Sequence, residues 1–409
     1  MKIILVTFGG LLLWVLSLQV QAQPWQFAAP LQVTGGQSGV FHHLESSGRR
    51  NIAVSGSTVA VAWEDNRDGT PRIYLARKAQ TANAFSKAIQ ISGSGEAFEP
   101  SLLALDQQRF VLAWEEDAKI QMRVVTSTEL GPVVVLDGNE GMQASLTTQA
   151  KQVLLVYARH AERFNQIWLQ ALDLDGLRLL PGAQCAVDGE PLKDEQLYPT
   201  AISLGDTLLV AWEDRRPGHT IIMAAKSQAA QICRFSSPQR ISEGHTPSQT
   251  TYGKGHGVAR VAFARYGAKH ALAVWADKRD YREGYDIYAA DYQPDNKSLF
   301  GVNQKVQDSF GGVAQQWHAS VAGDLTGRVA VSWDDNRDGN ANVMLSWREQ
   351  DEWSDDIVVP GAGGPGQQTH PSMTLDEAGN LHLAWLERAT LNGTTTLRYV
   401  FGRAAKTPE

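Results

Sequence analysis

Over most of its length the chain alternates apolar and polar residues with a period of two, and no helical period is visible beyond the first twenty residues. The clearest stretch is Val59-Ala-Val-Ala-Trp63-Glu-Asp65-Asn-Arg67-Asp-Gly69, followed by Ile73-Tyr74. Two β-rich runs on either side of an Asp-Gly turn predict a hairpin. The hairpin returns along the chain. Trp63, Trp114, Tyr157, Trp212, Trp275, Trp333 and Trp385 each end an apolar run, at intervals of roughly 40 to 60 residues. A further strand follows most anchors, at Ile73-Tyr74, Ile167-Trp168, Ile221-Ile222, Ile287-Tyr288 and Val343-Met344. A shorter strand precedes them, marked by Glu99-Pro100-Ser101, Gln143-Ala-Ser145, Tyr198-Pro199-Thr200, His318-Ala-Ser320 and His370-Pro371-Ser372. The first and fifth copies are looser, at Arg50–Ala53 and Val258–Val261. A fourth apolar segment closes most units, as at Ala88–Ile91, Gln239–Ile241 and Ile357–Val359.

Four short strands per unit, seven times over, predict an all-β seven-bladed β-propeller of four-stranded blades. The seventh unit has only three strands before the chain stops, while Pro30-Leu-Gln-Val-Thr34 stands alone near the start. This orphan resembles Ala88–Ser92, so it is expected to complete the last blade as its outermost strand and close the ring. Residues 23–409 then form a single propeller domain.

Residues 1–22 change the address rather than the fold. A Lys, an apolar run to Leu18 and Val20-Gln-Ala22 predict a secretory signal peptide cleaved after Ala22. No later stretch is long and apolar enough to span a membrane, so the expected location is secreted or periplasmic. The formal charge of −7 offers no basic face for nucleic acid. An oxidising compartment permits a bridge between Cys185 and Cys233. The two lie at the outer ends of consecutive units, where blades splay, and free thiols are the expectation.

The turn after each anchor collects Asp65 with Arg67, Asp214 with Arg216, Asp277 with Arg279, and Asp335 with Arg337. Recurrence in nearly every unit points to a structural turn, since one binding site needs only a few blades. Asp-Asn-Arg-Asp-Gly lacks the spacing of a calcium loop, and no His-x-His or Glu-x-x-His pattern exists; no metal and no cofactor are expected. The Trp-x-Asp-x-Arg-x-Gly repeat with its Ile-Tyr-like strand resembles the sialidase-like, BNR-type propellers of exported bacterial proteins. That resemblance implies the blade rather than an activity. Ser-x-Asp-x-Gly-x-Thr-Trp boxes and an Arg-Ile-Pro segment, both usual in sialidases, are absent.

In a repeat protein, chemistry is sought where the copies differ at one position. The residues at the head of the first strands do differ. Arg50, Glu99, Tyr198, His256, Arg260, Trp317, His318 and His370 are the expected ligand-binding set around one mouth of the channel. Three functions fit: binding of a carbohydrate or protein ligand there, glycan cleavage, or an envelope scaffold. Lyase chemistry would use His318, His370 and Tyr198, with a His or Tyr base and Arg neutralising a uronate carboxylate. The expected partners are a glycan or an envelope protein, and the expected state is a monomer.

Overall fold

The computed structural model describes residues 23–44, 48–106, 108–136, 140–229, 231–242, 257–279, 284–308, 312–349, 351–390 and 393–405. The proposed leader, residues 1–22, lies outside them, as does His256. Every regular element among the described residues is a β-strand. The strands form seven antiparallel sheets in a ring. Blade one is Ile52–Ser55, Thr58–Asp65, Arg72–Ala79 and Ile89–Gln90. Blade two runs Ala97–Ala104, Phe110–Glu116, Lys119–Val125 and Val134–Val135. Blade three is Gly141–Gln149, Gln152–Ala161, Phe164–Asp173 and Leu179–Ala186. Blade four is Gln196–Leu204, Thr207–Asp214, Ile221–Gln228 and Gln231–Phe235, and blade five Val258–Tyr266, His270–Asp277, Asp286–Asp291 and Gln304–Lys305. Blade six begins with Gln316–Gly323, Val329–Asp335 and Asn342–Glu349. Blade seven has Gln367–Leu375, Leu381–Arg388 and Thr395–Ala404 from the C-terminal end.

The chain ends close the ring together. Leu31 and Gln32 pair with Tyr399 and Arg398, and Trp25–Phe27 extends the same edge against Gly402–Ala404. The orphan strand therefore sits where the sequence placed it.

Between blades the core is made by the anchors. Trp63, Trp114, Trp212, Trp275, Trp333 and Trp385 are fully buried, and Tyr157 takes the same place in blade three. Each packs against the preceding blade, as Trp275 does with Leu209, Ile222 and Ile241. Burying so large a side chain in water-free contact contributes on the order of 3 kcal/mol per blade. The indole N–H needs a partner in that core. Trp63, Trp114, Trp212, Trp275 and Trp333 each donate to the carboxylate two residues on, at 2.7 to 3.3 Å. Arg67, Arg216, Arg279 and Arg337 then bind the same carboxylates in their own turns. The turn motif thus satisfies the core it adjoins.

Cys185 and Cys233 are disulfide-bonded, with Cα atoms 5.7 Å apart. This overturns the expectation of free thiols. Blades three and four carry outer strands of 8 and 5 residues, and these long edges lean together instead of splaying.

Candidate functional site at the channel mouth

The first strand of each of blades two to seven carries a β-bulge near its start. The residue it turns is Glu99, Gln143, Tyr198, Arg260, His318 or His370, each with φ between 51° and 59°. Left-handed backbone costs a non-glycine residue about 1–2 kcal/mol, so glycine would be the cheap choice. Six large side chains of five kinds stand there instead. Such strain retained at one position in six of the seven repeats points to use.

The bulges are tied from blade to blade. The carboxylate just after the anchor accepts the N–H of the next blade's bulge residue: Glu64 from Glu99, Glu115 from Gln143, Glu213 from Arg260, and Asp334 from His370. In blade three that position is Ala158, and the Gln143 side chain itself accepts from Tyr198 at 2.7 Å. These carboxylates were not singled out from sequence. Their signal was available as Trp-Glu or Trp-Asp at 63–64, 114–115, 212–213 and 333–334, beside the more conspicuous residue one place further on.

Blade one departs from the pattern, and its departure shapes the site. His42 and His43 pair with Asp65 and Glu64, and pairing resumes only at Ile52 with Val61. Elsewhere two residues fill the gap; here it holds 44–51. Residues 48–51 of this insertion reach across the channel. The Gly48 carbonyl accepts from Ser145 Oγ of blade three at 2.8 Å and Thr200 Oγ1 of blade four at 3.4 Å. Arg50 Nη2 donates to the Phe263 carbonyl of blade five, and the Asn51 N–H to Ser372 Oγ of blade seven. Gly48 has φ +81°, and a Cβ there would meet the Val261 carbonyl at 2.7 Å. Only glycine fits so close a crossing.

Above this crossing, the side chains converge. Arg49, almost fully buried, forms an ion pair with Glu99 and stands 5.7 Å from the Tyr198 ring. Arg260 lies over the same ring, 3.2 Å from its centroid. Glu99 and Glu115 are hydrogen-bonded to each other. Burial and the Glu99 charge push Glu115 up to about 8, while Arg49 helps hold Glu99 below the ordinary carboxylate range. At neutral pH the pair therefore shares one proton. His318 Nδ1 lies 2.8 Å from Asp334, and its ring stacks on His370 at 3.7 Å. Burial, reinforced by the neighbouring His318, His43 and two arginines, drives His370 well below the usual histidine range. His370 is a neutral ring at neutral pH.

Of the expected set, Glu99, Tyr198, Arg260, His318 and His370 meet at this mouth. Trp317 flanks it, its ring 3.8 Å from that of Tyr285 and tilted by 33°. Arg50 does not belong to it. The segment into blade one bends at 48, 49 and 51, so that Arg49 turns to Glu99 at the mouth, whereas Arg50 donates to the Phe263 carbonyl and lines the far half of the channel. His318, Asp334 and His370 bring ligand atoms within 4.8 Å of one another. Their near-parallel rings, 23° apart, aim the nitrogen lone pairs alongside each other rather than at one point. A cation there would require the stack to open.

In sequence, no family model and no curated protein matches the chain. In structure it is similar to a puromycin-hydrolysing peptidase of Mycobacterium tuberculosis, with TM-score 0.53 and 13% identity over 93% of this chain and 58% of that one. It is also similar to the GH93 α-L-arabinofuranosidase of Fusarium graminearum in complex with arabinobiose, with TM-score 0.51 and 12% identity over 74% and 92%. The acylaminoacyl peptidase of Pyrococcus horikoshii matches with TM-score 0.51 and 13% identity over 86% of this chain and 50% of that one. At such identities the likeness shows the propeller fold and nothing finer.

Proposed function

We propose that this is an exported propeller whose channel mouth binds a saccharide. The observation that carries the proposal is the convergence of Glu99, Tyr198, Arg260, His318 and His370, from five blades, above a channel crossed by residues 48–51. This mouth offers what sugars use, fixed charged donors and acceptors and hydrogen-bonding side chains. The arabinofuranosidase neighbour, bound to arabinobiose, supports a saccharide as the class of ligand a propeller of this shape can hold.

A second reading is cleavage of that glycan, and the shared-proton pair favours it. A carboxyl that keeps its proton near pH 7 suits a general acid. The pair does not suit the two-carboxylate route of glycoside hydrolysis, which needs about 5–9.5 Å between groups, because Glu99 and Glu115 are in hydrogen-bond contact. Elimination from a uronate fits better: Tyr198 or the Asp334-held His318 takes the proton alpha to the carboxylate, Arg260 steadies the enolate, and Glu115 protonates the leaving oxygen.

Binding is tested by titrating neutral and uronate-containing oligosaccharides into the protein and its Tyr198→Ala and Arg260→Ala variants. At least a tenfold loss of affinity is expected in each. Absence of binding across the panel by the unaltered protein would sink the proposal. Formation of unsaturated product, followed in the ultraviolet, separates enzyme from binder.

A further inference from the structure

On the other side of the Gly48 crossing lies a cavity of about 450 Å³, within the range of small-molecule sites. Its wall comes from the crossing residues 48–50 and the far halves of the first strands, and of the mouth residues only Arg49 also touches it. Among its lining residues are Arg50 and Arg265, together with Thr147, Thr148, Ser203 and Gln149, and no Asp or Glu. Among the described residues Arg50 has no carboxylate partner, and its one hydrogen bond goes to the Phe263 carbonyl at 3.2 Å. Arg265 likewise bonds only turn carbonyls, of Gly267 and Ala268. Ser203 Oγ is buried in the same wall without a hydrogen-bond partner.

Arg50 stands inside the channel, surrounded by protein yet open to the channel's solvent, so its guanidinium is accessible to a ligand. Enclosure by protein pulls Arg50 below the usual guanidinium range, with no carboxylate to offset it. It stays charged nonetheless, since arginine does not lose its proton in proteins. The other arginines of the ring show the contrast: Arg67, Arg216, Arg279 and Arg337 each have an aspartate within 2.8 Å. Two guanidiniums lining one cavity leave an oxyanion as the natural complement to their planar forks of N–H donors.

We propose that this far half of the channel is a second ligand site, separate from the mouth, that takes a small oxyanion between Arg50 and Arg265. The hydroxyls of Thr147, Thr148 and Ser203 supply further donors. The shared chemistry is the oxyanion, whether a carboxylate of a small acid or a tetrahedral sulfate or phosphate group.

The test is isothermal titration at constant ionic strength with three probes: sodium glucuronate, inorganic phosphate and sodium sulfate. Each is measured on the unaltered protein, on Arg50→Gln, on Arg265→Gln and on Tyr198→Ala. At least one probe is expected to bind with a stoichiometry of one, to lose tenfold or more in affinity in Arg50→Gln, and to keep its affinity in Tyr198→Ala. Arg50→Lys keeps the charge without the fork, and should fall between the two. A preference for glucuronate assigns the carboxylate source; a preference for sulfate or phosphate assigns the other. Because Arg50 also helps hold the crossing, a folded Arg265→Gln protein serves as the second variant should Arg50→Gln unfold. The proposal is overturned if no probe binds, or if binding is unchanged in Arg50→Gln and Arg265→Gln.

Discussion

Glu115 shows how far a residue's chemistry depends on its neighbours. Nothing in Trp114-Glu115-Glu116 distinguishes two adjacent glutamates. The strand alternation does: Glu116 turns to the Trp114 indole, and Glu115 turns to the mouth and meets Glu99. The consequence for stability has a definite sign. In the folded protein Glu115 keeps its proton up to about 8, whereas an unfolded glutamate loses it near 4.5. The folded state then binds more protons between those values, so this group's contribution falls as pH rises through that window. Glu99, held low, acts in the opposite sense, and its contribution is lost as pH falls. Glu115→Gln mimics the protonated form and should flatten the descent from pH 5 to pH 8. Urea unfolding at half-unit steps of pH reads this directly; parallel curves for the two proteins would refute the assignment.

At the scale of the element, the bulge is what turns a strand residue into a site residue. The sequence marked its position through Glu99-Pro100, Tyr198-Pro199 and His370-Pro371, because the segment breaks the alternation just there. What it could not show is the left-handed backbone, which depends on a carboxylate from the previous blade holding the N–H. The strain is measurable by comparing two truncations. Tyr198→Gly and Tyr198→Ala both remove the ring, but only glycine relaxes φ 51°. The glycine variant should be the more stable by about 1 kcal/mol in thermal or denaturant unfolding, with saccharide affinity equally lost. If alanine proves the more stable, the bulge is not strained in solution.

For the whole molecule, two closures matter. One is the pairing of Trp25–Phe27 and Leu31–Gln32 with Thr395–Ala404, which completes the last blade with strands from the other end of the chain. The other is the Cys185–Cys233 bond between the outer strands of blades three and four, spanning 48 residues of chain. For a loop of that size the chain-entropy argument gives up to about 4 kcal/mol. Reduction, or Cys185→Ser with Cys233→Ser, should lower the unfolding midpoint by several degrees while leaving saccharide binding at the distant mouth intact. An unchanged midpoint would mean that the other contacts between these edges already fix them.

The amino-acid sequence by itself determined the number of blades, the anchors, the turn motif and the strand that closes the ring. The anchored hairpin behind them is written in local periodicity and repeated seven times, so that local preference and the final fold agree. It also marked the position from which the mouth residues come. Only the tertiary structure decided which neighbours those residues meet. The Glu99–Glu115 pair, the His318–His370 stack and the Cys185–Cys233 bond join residues from different strands or blades. Strand alternation fixes the face a residue takes within its own blade, but not the distance to a side chain a blade away. The sharpest case is the crossing at Gly48. A few extra residues in one irregular repeat divide the channel in two, sending Arg49 to one half and Arg50 to the other, and that division exists only once the ring is closed.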